Sequence, residues 1–364
     1  MHIRILDKYI FREVLLTFLF SVCAFSAVFI GSGTLFRIAQ YITEYGASFV
    51  SIVKIFVLGL PSIIVWTFPM SMLLASLLTV GRLSSASEIT AMKSCGIGFS
   101  RIAAPVILLG LIISICSMAF NEYVVPWANV AYRNVLYYEI QGNTAMKSQE
   151  HIILKDIQDG KIQRLVYARL YDAESEQLVG LTMQDFDETG TLRHVENAEY
   201  AEWKGEEWVM HNGMIYDITD GESEHTMRFA QQTLPIQVTP KRVVREQKKP
   251  EELTMKELRA QIDIMKTQYV DTKQLETELY QRVTVPLASL VFALIGVPLG
   301  MQPTRNSSSA GFAMSIIIIF LYYAAMTMGN ALARGGMLPP LLAVWIPNIM
   351  GLIAGAVLIR RAAR

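Results

Sequence analysis

Apolar residues in this chain are gathered in blocks rather than scattered. Residues 14–36, 52–80, 102–125, 283–301, 310–333 and 338–359 are almost free of charge. Each block has about the 18 or more residues that a helix needs to cross a bilayer, so the pattern predicts about six membrane spans. Pro61 and Pro69 are expected to kink the second span or break it into pieces, and the third is expected to end at Pro126. Between the third and fourth blocks the pattern changes. Segments 152–155, 164–171, 179–186, 208–211 and 214–218 are rich in β-formers. Asp159-Gly160, Glu188-Thr189-Gly190, Lys204-Gly205, Asn212-Gly213 and Asp220-Gly221 supply turn signals between them. Short strands at this spacing predict an all-β sandwich or roll of single-domain size. A capping box at Thr254 and Glu257, followed by Leu258, Ile262 and Met265 at helical spacing, predicts a connecting helix that leads back to the membrane. The expected organisation is therefore spans one to three over 1–126, a β insert over 127–249, a helical connection over 250–282, and spans four to six over 283–364.

A short polar stretch, 84–97, separates the second and third blocks. Ser84, Ser85 and Ser87 offer capping hydroxyls ahead of Glu88, whose charge suits a helix N-terminus. Ile89 and Met92 are one turn apart, and Gly96 and Gly98 end the pattern. Two readings stand: a helix that lies on lipid, or one through which a soluble partner pushes on the spans.

Charge orients the spans. In the short loops Arg4, Lys8, Arg12, Arg82, Lys93, Arg101, Arg305, Arg360, Arg361 and Arg364 fall on one side, against Arg37, Lys54 and Arg334 on the other. The positive-inside rule then predicts cytoplasmic termini, a cytoplasmic Glu88 helix and an extracytoplasmic insert. The first block, preceded by Arg4, Lys8 and Arg12, resembles an uncleaved start-transfer segment more than a signal peptide. Net charge is zero, so nothing suggests nucleic acid as a partner. Cys23, Cys95 and Cys116 lie outside the insert and suggest neither a disulfide framework nor a thiolate metal site. The sequence contains no Walker A, H-E-x-x-H or G-x-S-x-G pattern, and none of its five histidines falls in a span. Apart from Glu122 near one end, the spans lack the carboxylates of a proton relay. If the chain moves something, the work is expected to come from a separate protein, and the chain itself is not expected to be an enzyme.

The motifs P-M-S-M-L-L, G-R-L and S-E-I-T-A-M-K-S-C-G within 68–100 resemble the lipopolysaccharide-export permeases of the LptF/LptG (YjgP/YjgQ) family. So do Asp7-Lys8-Tyr9-Ile10, Asn121-Glu122-Tyr123-Val124-Val125-Pro126, Gly296-Val297-Pro298-Leu299-Gly300 and Leu338-Pro339-Pro340. Each motif is weak by itself, and the colinear set spans the whole chain. The resemblance implies an inner-membrane permease that pairs with a second permease, a paralogue or itself, and binds a dimer of a cytoplasmic ATPase. That ATPase would hold ATP and Mg, and no cofactor is expected in this chain. The pair would extract lipopolysaccharide and pass it to a periplasmic β-jellyroll bridge protein, the insert itself being jellyroll-like and periplasmic.

By position, Ser87, Glu88, Ile89, Met92 and Gly96 would form the helix that docks on the ATPase, Glu88 as its charged contact and Ile89 and Met92 as apolar anchors. Arg37, at the outer end of the first span, is where family members place basic residues facing lipid A phosphates. Other members carry further basic residues nearby, whereas this segment offers Arg37 alone. An ordinary snorkelling arginine fits that position equally well. Lipid tails would meet the first and fifth spans, with Gly329 and Asn330 near the outer end of the latter. A reading from another class also stands: a non-transporting scaffold or envelope sensor whose β domain binds a ligand. Dependence on an ATPase partner separates the two.

Overall fold

The computed structural model describes residues 5–141, 149–158, 161–187, 191–219, 222–236, 239–240, 248–267, 270–301 and 308–362. The chain divides into two compact units, one of residues Met1–Ile140 with Pro250–Arg364 and the other Gln141–Lys249.

The first unit is helical, and six of its helical stretches are long and apolar enough to cross a membrane. The first span combines α1 (Ile5–Phe29), a π-helical turn (Ile30–Thr34) and α2 (Leu35–Tyr45). The second is α3 (Phe49–Ser85), followed by the short α4 (Glu88–Ser94), and the third is α5 (Phe99–Asn134). After the insert come α6 (Met255–Thr267) and the last three spans, α7 (Lys273–Gly300), α8 (Ser308–Arg334) and α9 (Pro340–Ala362). The capping box at the start of α6 forms as expected, with Thr254 and Glu257 bonded reciprocally.

The prolines of the second and third spans act differently from the sequence expectation. The second span is one continuous helix through Pro61 and Pro69. A proline removes one backbone bond, which packing against neighbouring helices offsets inside a bundle. Residues from Pro69 to Ala75 are all buried. The third span likewise runs through Pro126 to Asn134 and a π-helical turn to Ile140, so residues 127–140 are helical and belong to the first unit. Val125, Pro126 and Ala128 are buried there, and that packing holds the helix together past the proline.

Spans two, three and four form the tight frame of this unit. A Cβ on Gly296 of α7 would stand 1.8 Å from Ser76 Oγ of α3, and one on Gly110 of α5 would stand 2.7 Å from Ala293 Cβ. Only glycine lets these backbones approach so closely. Away from the frame the helices turn apolar side chains outward, among them Phe20, Val28, Ile115, Phe320 and Ile353. Such a surface is matched to hydrocarbon, not water.

The second unit is a six-stranded antiparallel meander in the order β1-β2-β3-β4-β5-β6. Its strands are Gln149–Gln158, Lys161–Asp172, Gln177–Phe186, Leu192–Lys204, Glu207–Thr219 and Glu222–Leu234. Asn212-Gly213, expected as a turn between two strands, instead lies inside the single strand β5. Asn212 adopts φ 54°, in the left-handed region, and His151 of β1 and Gly180 of β3 do the same at 57° and 67°. The strand register puts these three in one transverse row. Across that row the core-facing positions step by three residues instead of two: Ala168 to Tyr171, Leu178 to Leu181, Ala198 to Ala201. An extra residue at matching places in neighbouring strands acts as a bulge running across the sheet, and bulges bend strands. The sheet therefore folds along this crease over one core, with Ile152, Val166 and Met183 on one side and Tyr171, Leu178 and Trp208 on the other. The expected sandwich or roll is thus a creased roll. The turn signals at 159–160, 188–190 and 220–221 lie outside the described residues.

Candidate functional site

The first, second and fifth spans leave between them a cavity of about 680 Å³. Phe25 and Met70 come from the first and second spans, and Ile316, Ile319, Phe320, Tyr323, Thr327 and Met328 from the fifth. With almost only hydrocarbon and aromatic surface, this cavity suits acyl chains.

Behind the cavity wall the helices are fastened by hydrogen bonds. The Tyr323 hydroxyl donates to the Trp66 carbonyl of the second span at 3.1 Å. Trp66 lies beside Val65, whose carbonyl Pro69 cannot serve, so a side chain from the fifth span adds a polar tie where the backbone ladder is interrupted. Tyr322 donates to Asn348 Oδ1 at 2.8 Å, and Asn348 Nδ2 donates to the Thr284 carbonyl at 2.8 Å, joining spans five, six and four. No sequence motif marks these partners, which meet only in the folded bundle. Gly329 does not face the cavity: a Cβ there would lie 2.5 Å from the Ala343 carbonyl, so this glycine packs the fifth span on the sixth.

At the other end of the second span, α4 turns one side inward. Ile89 is 4% exposed and belongs to the core that contains Ile10, Val14, Leu83 and Ile102. Ile89, expected as an apolar anchor for a partner, packs α4 against its own bundle in this structure. A seven-residue helix has too little packing of its own, so its most apolar side chain goes inside. Met92 is half-buried against the same core, while Ser87, Thr90, Ala91, Lys93 and Gly96 are exposed. The serine caps also differ from expectation. Ser87 sits at the N-cap with φ 60° and makes no side-chain capping bond, Ser85 donates to Arg82 O, and Ser84 donates to Met301 O. Gly96 ends the helix at φ 80°, the left-handed conformation that glycine adopts without strain. The carboxylate of Glu88 accepts the Tyr9 hydroxyl at 3.1 Å.

Arg37 lies on α2, exposed on the first span beyond the π-helical turn. The structure does not bring it into the lining of the cavity.

A protein-family model, Lipopolysaccharide export system permease LptF/LptG, matches residues 8–361. The chain belongs to the LptF/LptG family. It is 20% identical over 358 residues to the lipopolysaccharide export system permease protein LptG of Haemophilus influenzae, covering 96% of this chain and 97% of that protein. The match runs through spans, α4 and insert alike, so this is a distant LptF/LptG-family permease of lipopolysaccharide export, a transport subunit with the make-up of a multi-pass inner-membrane protein.

At the insert end of its spans this LptF/LptG permease buries a polar network that the sequence hinted at only through Glu122. Both oxygens of Glu122 accept from the Met255 backbone N–H, at 3.1 and 3.0 Å, so the third span adds its own bond to the capping box at the start of α6. Arg133 pairs with Glu252 at 2.6 Å, with side chains 14% and 5% exposed. Arg282 donates to the Pro250 carbonyl at 2.7 Å, and Asn129 donates to the Glu251 carbonyl at 3.0 Å. The segment where the chain returns from the insert is thereby bound to the third and fourth spans.

Proposed function

We propose that this chain is the membrane subunit of an ATP-driven lipopolysaccharide exporter, with the apolar cavity receiving the acyl chains. The cavity itself carries the reading: about 680 Å³ of hydrocarbon-lined space between the first, second and fifth spans is suited to lipid tails. The family supports lipopolysaccharide as the molecule moved. Both termini and α4 face the cytoplasm, and the creased β roll faces the periplasm, in keeping with the Lys and Arg bias.

In this reading the outward face of α4 docks on a cytoplasmic ATPase dimer, which binds ATP and Mg. Ser87, Glu88 and Gly96 lie at that contact, joined by Thr90 and Ala91 and by the half-buried Met92. A second permease of the family, identical or paralogous, completes the cavity's outer wall. Arg37 meets a phosphate of the headgroup, where a planar guanidinium binds bidentately. The β roll passes the lipid to a periplasmic jellyroll bridge by extending its sheet edge.

The test is copurification from detergent with the ATPase of the same export system. Wild type is expected to hold the ATPase, and Glu88→Ala to weaken binding about tenfold or more, the worth of one charge-assisted hydrogen bond. Arg37→Ala is expected to keep the ATPase and lose crosslinking to lipopolysaccharide. A wild-type chain that binds no ATPase would instead favour the scaffold or sensor, with its ligand on the β roll.

A further inference from the structure

A side-chain hydrogen bond at the edge of its exposed face ties α4 to the beginning of the first span. The Tyr9 hydroxyl donates to Glu88 Oε2 at 3.1 Å. On the segments that flank α4, Glu13 pairs with Arg82 at 2.5 Å, and Asp7 with Arg101 at 3.7 Å. Between these polar contacts Ile10 and Val14 are fully buried and share a core with Ile89. Tyr9 and Glu13 are one turn apart on α1, beside that buried face. Each polar contact is partly exposed and by itself adds little to stability. Their arrangement is what matters: Asp7, Tyr9 and Glu13 reach respectively to the start of α5, to α4 and to the end of α3.

The same α1 continues without a break to Phe29 and carries Phe25 on the cavity wall. Sixteen residues of helix separate Tyr9 from Phe25, roughly 24 Å at the usual rise. An α-helix is stiff over that length, so a sideways shift at its base tilts its far end.

We infer that Tyr9 is a positioning residue that passes displacement of α4 to the first span, with Asp7 and Glu13 as its supports. The inference rests on the reading of α4 as the ATPase docking element. It gives Glu88 two tasks for its two oxygens: Oε2 holds Tyr9, and Oε1, which takes no hydrogen bond among the described residues, accepts a donor from the partner. Ile89 supplies the apolar part of the same link. Pushing α4 then moves the cavity's first-span wall directly, rather than only through the second and third spans.

The experiment uses the full chain with Cys23, Cys95 and Cys116 replaced by serine and spin labels at Val28 and Leu321, exposed positions on the first and fifth spans. The label distance is measured in the complex with the ATPase and lipopolysaccharide, with and without nucleotide. Wild type is expected to show a nucleotide-dependent change. Tyr9→Phe combined with Glu13→Gln is expected to keep the ATPase bound and to shrink that change at least about twofold. The swap Glu13→Arg with Arg82→Glu is expected to restore what Glu13→Arg alone loses, which a general packing defect would not allow. An unchanged distance response in Tyr9→Phe/Glu13→Gln overturns the inference and leaves the docking role of α4 standing. A wild-type complex whose distance ignores nucleotide also overturns it. Failure of wild type to bind the ATPase removes the docking reading itself.

Discussion

Arg133 and Glu252 illustrate how much a single buried pair can decide. A guanidinium and a carboxylate at 2.6 Å, both largely out of solvent, are costly to desolvate and costlier still to separate. Glu252→Ala removes the 2.6 Å carboxylate partner of the buried Arg133 charge and is expected to lose about 3–5 kcal/mol, read as a lowered midpoint of thermal unfolding in detergent. Replacing both residues by methionine is expected to recover most of that loss, and equal losses in the single and double variants would show that the pair itself is not the cause. The sequence marks neither residue. Arg133 reads as one more surface cation, and Glu252 follows a Lys-Lys-Pro-Glu run that suggests solvent. Ile89 shows a different limit of the sequence. Its one-turn spacing to Met92 correctly signals a helix face, but spacing alone does not say whether that face looks toward a partner or toward the chain's own core. Glu88 lies between these cases, since an acid before an apolar run is legible while its hydrogen bond to Tyr9 spans 79 residues of sequence.

Among the elements, the β roll shows which local signals survive folding. Asn212-Gly213 is a strong hairpin signal, yet it is spent on a crease within β5. The left-handed conformation the signal predicts does occur, at φ 54°, and only its tertiary use differs. Gly213 is needed for space instead, because a Cβ there would collide with the Asn197 carbonyl and the Phe229 ring. The same roll buries Glu196, which accepts from Gln232 Nε2 at 3.1 Å. Burial raises the Glu196 pKa above its ordinary value of 4.5 and outweighs the lowering effect of the Gln232 bond. A raised carboxyl stabilises the fold in its protonated form, so its contribution is complete below pH 4.5 and is lost as pH rises through the shifted value. Glu196→Gln is expected to flatten this dependence. Hydrogen-exchange protection of β4 and β5, corrected for intrinsic rates, is expected to fall less between pH 4.5 and neutrality in the variant than in wild type. The number and order of the membrane helices were legible because one solvent imposes one requirement on each of them, but their ends were not, since the helices run past the apolar blocks, as Ile5–Tyr45 does past 14–36. Pro61, Pro69 and Pro126 were further exceptions, since a proline's effect depends on what packs around it.

At the scale of the molecule, three spans form a close-packed frame and a loosely covered cavity opens beside it. Gly296, Gly110 and the buried Ser76 bring spans two, three and four together, whereas the cavity face of the fifth span remains exposed through Phe320 and Met328. Rigidity beside an open apolar space is the arrangement a lipid carrier needs, and the family assignment names the lipid. The resemblance pointed lipid tails to the first and fifth spans, but the residues alone do not mark such a space, because cavity-lining and bilayer-facing side chains are chemically alike. Phe320 of the cavity and Met350 of the sixth span both read as exposed hydrophobics.

That likeness defines the most direct test. A photocrosslinking amino acid is placed in turn at Phe320 and at Met350 of the full chain in membranes containing lipopolysaccharide. Transfer through the cavity predicts that Phe320 captures lipopolysaccharide, that Met350 captures little, and that ATP with the partner ATPase depletes the adduct at Phe320. Equal capture at the two positions, unchanged by ATP, would contradict the cavity's role and with it the central claim.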